Sequence, residues 1–122
     1  MFVGTDIVEV ERIKMAISRH NNAFLQRVFT EKERLSINLD ELNYERAAGF
    51  WAAKEAIVKA VGLGFRCGIL FHDAEVIHDE LGCPYFNLKG KLKQVIDEKK
   101  ITEISLSISH CRTHAIAVAI IA

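Results

Sequence analysis

The stretch Phe50–Gly62, FWAAKEAIVKAVG, is apolar along nearly its whole length, yet it carries Lys54, Glu55 and Lys59. Read as a helix, it turns about 100° per residue, so positions four apart share a face. Glu55 then lies beside Lys59, with Ala48, Ala52 and Gly62 around them and Trp51 to one side. Phe50, Ile57 and Val61 form another stripe that can face a core. The charges admit two readings. One is a Glu–Lys pair on a solvated edge, contributing a few tenths of a kcal/mol. The other is a carboxylate for a hard cation and an ammonium for a phosphate, in a cleft floored by small side chains. Magnesium is usually held by one or two carboxylates plus substrate phosphates. The second reading therefore needs another carboxylate from elsewhere in the chain.

Asp6 is the candidate. GTDIVEV, Gly4–Val10, places a short acid inside a segment that otherwise reads as a strand. Aspartate is disfavoured in strands, so its position needs a reason. Side chains alternate along a strand, so Gly4 leaves room on the face that Asp6 occupies. The alternative is a strand-end Asp satisfied by backbone N–H groups. Glu9 and Glu11 read more simply as solvent-facing.

The flanking sequence sets these two segments in an α+β frame. Phe2 to Val10 reads as a strand and Glu11 to His20 as a short helix with Ile13 and Ile17 on one face. Asn21-Asn22 breaks it, and Ala23 to Phe29 reads as another turn or two of helix. Thr30-Glu31-Lys32-Glu33 matches a capping box opening a helix near Glu31. Asp40 is placed to cap the long helix, and Gly62 or Gly64 to end it. Ala74 to His78 and Pro84 to Leu88 read as hairpin partners around Glu80-Leu81-Gly82. Gly90 to Lys100 reads as an amphipathic helix with Leu92, Val95 and Ile96 inward. Ile104 to His110 and His114 to Ile121 read as a final antiparallel pair joined at Cys111-Arg112-Thr113. The expected architecture is one domain, residues 1–122, with an antiparallel sheet packed on a long central helix.

Composition narrows the function classes. Lys plus Arg and Asp plus Glu number 16 each, so the formal net charge is zero. That argues against broad nucleic-acid binding, which relies on a basic excess. The zero conceals a local bias: Arg12, Lys14, Arg19, His20 and Arg27 lie in a stretch with no acid. Such a patch suits an acidic partner or is a solvated helix face. The three cysteines, Cys67, Cys83 and Cys111, form no CxxC pair, which argues against a zinc knuckle or disulfide framework. No apolar run is long enough to span a membrane. MFVGTDIVEVERI puts acids where a signal peptide needs a plain apolar stretch, so the expected setting is the cytoplasm.

GTDIVEVERI, FLQRVFTEKE, ERAAGFWAAKEAIVKAVGLG, LFHDAEVIHDELGCPY and SLSISH, taken together and in this order, resemble holo-acyl-carrier-protein synthases. These are the short bacterial type of 4′-phosphopantetheinyl transferase. The resemblance covers nearly the whole chain, and the pairing of G-x-D-I-V-E with W-A-A-K-E-A-x-x-K-A is its most specific part. It implies the fold of that family. It also implies transfer of the 4′-phosphopantetheine arm of coenzyme A to a serine of an acyl carrier protein, leaving adenosine 3′,5′-bisphosphate. It further implies magnesium held by Asp6 and Glu55, with Lys59 on the coenzyme A phosphates. The turn from Gly62 to Gly64 would let backbone approach the nucleotide, and His110 would lie near the reaction site. Family members often have an arginine where this chain has Phe50, so a 3′-phosphate contact expected there is either missing or supplied from elsewhere, with Lys54, Arg46 and Arg66 as the candidates.

Phosphoryl transfer is catalysed mostly by positioning and electrostatic stabilisation, and those residue types supply both. A magnesium-bound water, Glu55 or His110 is expected to accept the serine proton, with the water preferred. His110 equally fits a structural strand-end histidine. Acyl carrier proteins are acidic and, in the family, dock on the first helix, so the resemblance gives the basic stretch a partner. Arg12, Arg19 and Arg27 are the expected charge contacts, with Phe24 an apolar one. A metal-dependent nucleotide or phosphodiester hydrolase would want the same Asp6, Glu55 and Lys59, and a non-enzymatic adaptor would need only the basic helix. The segment HAIAVAIIA is apolar at both parities, whereas an antiparallel strand at the edge of a small sheet should alternate. Either the long helix and the Gly90 to Lys100 helix of the same chain cover both faces or a second subunit covers the outer one, and the resemblance implies the latter, a homotrimer with coenzyme A bound between neighbouring subunits.

Overall fold

In the computed structural model, which describes residues 1–20, 22–38 and 41–122, the chain opens with β1 (Phe2–Glu9). Three helices follow: α1 (Val10–His20), α2 (Asn22–Val28) and α3 (Glu31–Ile37). The long helix α4 (Tyr44–Val61) leads through a loop and a 3₁₀ turn (Phe71–Asp73) into β2 (Ala74–His78) and β3 (Pro84–Leu88). Helix α5 (Gly90–Glu98) precedes β4 (Ile104–His110) and β5 (His114–Ile121). The strands form two antiparallel sheets rather than the one expected: β1-β5-β4 and the β2–β3 hairpin.

The α3 capping box is present as read, with Thr30 Oγ1 accepting from Glu33 N at 3.3 Å and the Glu33 carboxylate accepting from Thr30 N at 2.8 Å. At α4 the cap is Asn43, whose Oδ1 accepts from Arg46 N at 2.9 Å. Asp40, expected in that role, lies outside the described residues. Both types cap well, and Asn43 immediately precedes the first helical residue. Gly62 ends α4 with φ of 91° and Gly64 follows at 63°, left-handed conformations that favour glycine.

Helix α4 lies on the inner face of the three-stranded sheet and is buried on nearly every side, from Ala47 to Val61. The contact is small on small: Gly4, Ala115, Ala117 and Ala119 from the sheet, and Ala52, Ala53, Ala56 and Ala60 from the helix, are buried. The expected stripe of Phe50, Ile57 and Val61 is therefore only part of a helix immersed in the core.

Strand β5 is not an edge strand. It lies between β1 and β4, because β1 pairs along its whole length, from Phe2 opposite Ile121 to Glu9 opposite His114. Its two faces differ. Ala115, Ala117, Ala119 and Ile121 are buried towards α4, whereas Ile116 and Ile120 are exposed on the outer face beside Val3 and Ile7. No described helix is long and apolar enough to cross a membrane.

Candidate functional site

Asp6 and Glu55 meet at a recess of about 390 Å³ between β1, α1, α2 and α4. Asp6 faces α4 because it shares the inner strand parity of Gly4 and Val8. Ile13, Phe24, Trp51 and Arg12 complete the walls. Burial, and then the Asp6 carboxylate beside it, raise the Glu55 carboxyl above its ordinary range, with Lys59 opposing. Two carboxylates that repel each other in a half-buried recess are a hard-oxygen donor pair suited to a divalent cation. Among the described residues no three His, Cys, Asp or Glu side chains gather to hold a metal by themselves. Further ligands would have to be substrate oxygens or water.

Lys59 is not paired with Glu55, as the i,i+4 reading supposed. Its Nζ donates to Asp6 Oδ1 at 2.9 Å and to Thr5 O at 3.1 Å. The side chain is half exposed and borders a groove of about 510 Å³ with Gly62, Phe2, Val3 and Lys99. Gly62 and Lys59 thus share one groove, and Lys59 links it to the carboxylate recess through Asp6.

Lys54, expected among the phosphate contacts, is fully buried. Its Nζ lies 2.9 Å from Glu33 Oε1 and donates to Phe71 O at 3.0 Å and Ala74 O at 2.9 Å. Burial lowers its pKa, opposed by the Glu33 carboxylate. One residue along the helix from Glu55, it points into the core rather than the recess. Sequence reasoning assigned Glu33 only a capping role and did not foresee this pair.

His110 does not join Asp6 and Glu55. Its Nδ1 lies 2.9 Å from Glu45 Oε1, in the first turn of α4, whereas Glu55 is ten residues, about 15 Å, further along that helix. His110 borders a different groove, of about 530 Å³, with Arg46, Phe50 and His78. Arg46 Nη1 donates to Ser36 O at 2.8 Å. Phe50 is buried with its ring 5.7 Å from that of His78. Burial, and then the Arg46 charge, lower the His78 pKa. Arg66, the third basic candidate, lies in the loop after Gly64.

On the other side, α1 and α2 present Arg12, Arg19 and Arg27 to solvent, with Phe24 half-buried. Arg12 and Phe24 also border the carboxylate recess, so the basic face and the site are continuous. Phe24 stacks on Trp51 at 6.0 Å, Trp51 on Phe71 at 5.2 Å, and Phe71 lies against Phe65 at 4.1 Å. This aromatic series runs from the recess to the loop after Gly64. The isolated aromatics in the sequence were its only signal.

Residues 2–119 match the model of the 4′-phosphopantetheinyl transferase superfamily. The chain is 50% identical over 120 residues to the holo-acyl-carrier-protein synthase of Thermoanaerobacter sp. strain X514, covering 98% of this chain and 86% of that one. To the synthase of Clostridium tetani it is 50% identical over 119 residues, covering 98% and 93%. The crystal structure of the Neisseria meningitidis synthase superposes with a TM-score of 0.91 at 33% identity, over 99% of this chain and 97% of that one. The Helicobacter pylori synthase in complex with coenzyme A superposes with a TM-score of 0.86 at 32% identity, over 98% and 99%. By sequence along its whole length and by fold, the chain belongs to the 4′-phosphopantetheinyl transferase superfamily, among its holo-acyl-carrier-protein synthases.

Proposed function

We propose that the chain transfers the 4′-phosphopantetheine group of coenzyme A to a serine of an apo-acyl carrier protein. The serine hydroxyl gives its proton to a water in the recess as its oxygen bonds to the pantetheine-side phosphorus of the pyrophosphate. The bond from that phosphorus to the bridging oxygen breaks, and adenosine 3′,5′-bisphosphate leaves. The observation that carries the reading is the facing pair Asp6 and Glu55, tied to Lys59 and opening onto an exposed arginine face. The Helicobacter pylori relative, which binds coenzyme A, supports the choice of donor.

Asp6 and Glu55 fit magnesium, being hard oxygen donors whose mutual repulsion a divalent cation relieves. When bound, the ion would neutralise charge developing on the pyrophosphate oxygens. Lys59 adds a point charge beside Asp6, and Gly62 and Gly64 leave the adjoining turn bare for a nucleotide. Arg12, Arg19, Arg27 and Phe24 receive the acidic carrier and bring its serine to the recess.

A homotrimer belongs to the same reading. Val3, Ile7, Ile116 and Ile120 are 62%, 65%, 42% and 38% exposed on one sheet face, an apolar patch suited to another subunit. His110 and Arg46 lie apart from Asp6 and Glu55 within a chain, and a neighbouring subunit would place the two sets around one coenzyme A.

The test is mass spectrometry of an apo-carrier incubated with this protein, coenzyme A and magnesium. The expected result is the gain of one phosphopantetheine, lost with chelator and in Asp6→Ala and Glu55→Ala variants that stay folded. Near-wild-type turnover in either variant at saturating magnesium overturns the site assignment. Breakdown of coenzyme A by water without modification of the carrier would assign a hydrolase instead.

A further inference from the structure

Lys54 Nζ is completely enclosed and has three acceptors around it: Glu33 Oε1, Phe71 O and Ala74 O, at 2.9, 3.0 and 2.9 Å. An ammonium has three protons, so every donor is used. Glu33 is equally committed. Its Oε1 also accepts from Thr30 N and its Oε2 from Val76 N, at 2.8 and 2.7 Å. One buried ion pair thus joins the start of α3, the middle of α4, the 3₁₀ turn and β2. Well-packed apolar residues often replace such a pair without loss of stability, so stability alone does not account for it.

What the pair does hold is geometry beside Glu55. Phe71 is bound to α4 twice, by its carbonyl on Lys54 and by its ring on Trp51. Trp51 and Phe24 stack on each other and wall the recess that contains Asp6 and Glu55. His72 Nε2 reaches Gln26 O at 2.6 Å and ties the same 3₁₀ turn to α2, which carries Phe24. The buried ammonium therefore anchors the segment that braces both aromatic walls, and it occupies the helical position next to Glu55.

We propose that Lys54 is a positioning residue for the transfer reaction, holding Phe71 against Trp51 and thereby setting how α4 presents Glu55 to the metal and the pyrophosphate. This rests on the reading of Asp6 and Glu55 given above. Removing the ammonium takes a donor from the carbonyls of Phe71 and Ala74 and leaves Phe71 O only its bond from Ala74 N, so the 3₁₀ turn loses its tie to α4 and moves off Trp51. A displacement of about 1 Å at a reacting centre costs on the order of a hundredfold in rate.

The experiment uses Lys54→Met, the double variant Glu33→Gln/Lys54→Met, and Phe71→Leu, which keeps the carbonyl and apolar bulk but removes the stack. Trp51 is the chain's only tryptophan, so its emission reports this wall directly. Three quantities are measured well below each variant's Tm: Trp51 emission, Mn²⁺ affinity in the presence of coenzyme A, and the kinetics of transfer. The expected result is a shifted Trp51 emission, Mn²⁺ binding weakened about tenfold, and kcat lowered tenfold or more, with KM for the carrier changed much less than kcat because Arg12, Arg19 and Arg27 are untouched. Should Lys54→Met fail to fold, Phe71→Leu must show the same pattern. A lower Tm with wild-type emission, Mn²⁺ affinity and kcat overturns the proposal, because it leaves Lys54 a merely structural part. Glu55→Ala is the reference: if it keeps Mn²⁺ affinity and activity, the site reading itself fails. If it loses both while Lys54→Met keeps both, only the positioning role fails.

Discussion

Adding a single methyl group at Gly4 tests whether the closeness of β1 and α4 places Asp6. A Cβ at Gly4 would lie 1.9 Å from Ala56 O and 2.6 Å from Ala60 N, both backbone atoms of α4. Ordinary contact begins near 3.4 Å, so Gly4→Ala must separate strand and helix by about 1.5 Å along that line. Neither atom belongs to a side chain that can swing away, and α4 is locked on its other sides by the core. Overpacking of this kind costs about 3 kcal/mol, the upper part of the usual range, which for a chain this long lowers Tm by roughly 10 °C. Asp6 lies two residues on, facing the same helix, and a retreat of about 1 Å there should lower transfer on the order of a hundredfold. Thermal melts followed by circular dichroism, with carrier modification assayed well below Tm, measure both effects. Gly62→Ala is the control: its Cβ meets nothing within 4 Å, and the φ of 91° limits the expected loss to about 1 kcal/mol. Wild-type Tm and turnover in Gly4→Ala would show that β1 has slack. Reduced Tm with full turnover would show that Asp6 need not be held closely.

The raised carboxyl of Glu55 has a consequence for stability. A carboxyl whose folded pKa exceeds its unfolded value favours folding below the unfolded value and loses that contribution as pH rises through the folded one. Metal-free Glu55→Gln should therefore melt above wild type at pH 7, and the gap should close when pH falls below about 4.5; equal Tm values at pH 7 would contradict this. Charge reversal, Arg12→Glu or Arg27→Glu, should raise the carrier KM and leave coenzyme A use nearly unchanged, and added salt should mimic it; insensitivity to both would mark a merely solvated face. If the proposed trimer forms, Val118→Asp or Ile120→Asp should abolish it and activity together in sedimentation and transfer assays; a fully active monomer would confine the coenzyme A site to one chain.

The elements readable in the sequence were those with a local signature. Thr30 to Glu33 announced a helix start, Gly62 a helix end, and Glu80-Leu81-Gly82 a turn between two short strands. Asp6 and Glu55 stood out because each is an acid where its element should be apolar. Partners distant in the chain were not readable. Lys59 bonds Asp6, 53 residues away, and alternation along β1 carries no information about which strand pairs with it. Lys54 was misread because a lysine next to a candidate site glutamate looks exposed, and only the fold shows Glu33 waiting in the core. His110 was grouped with Asp6 by resemblance, while within one chain α4 connects it to Glu45 instead.

The central place of β5 has a kinetic consequence. In the sheet, β1 has one neighbour only, and the pairing of Phe2 with Ile121 spans 119 residues. The helices, the β2–β3 hairpin and the β4–β5 hairpin are local and can form early. The β1–β5 ladder must first close a very long loop, and high contact order slows folding. The strand carrying Asp6 is therefore expected to complete its sheet pairing late, after Glu55 already has its helix. A chain without β5 would leave Asp6 on a strand with no sheet partner among the described residues, so the proposed transfer activity is expected to arrive with that long-range pairing.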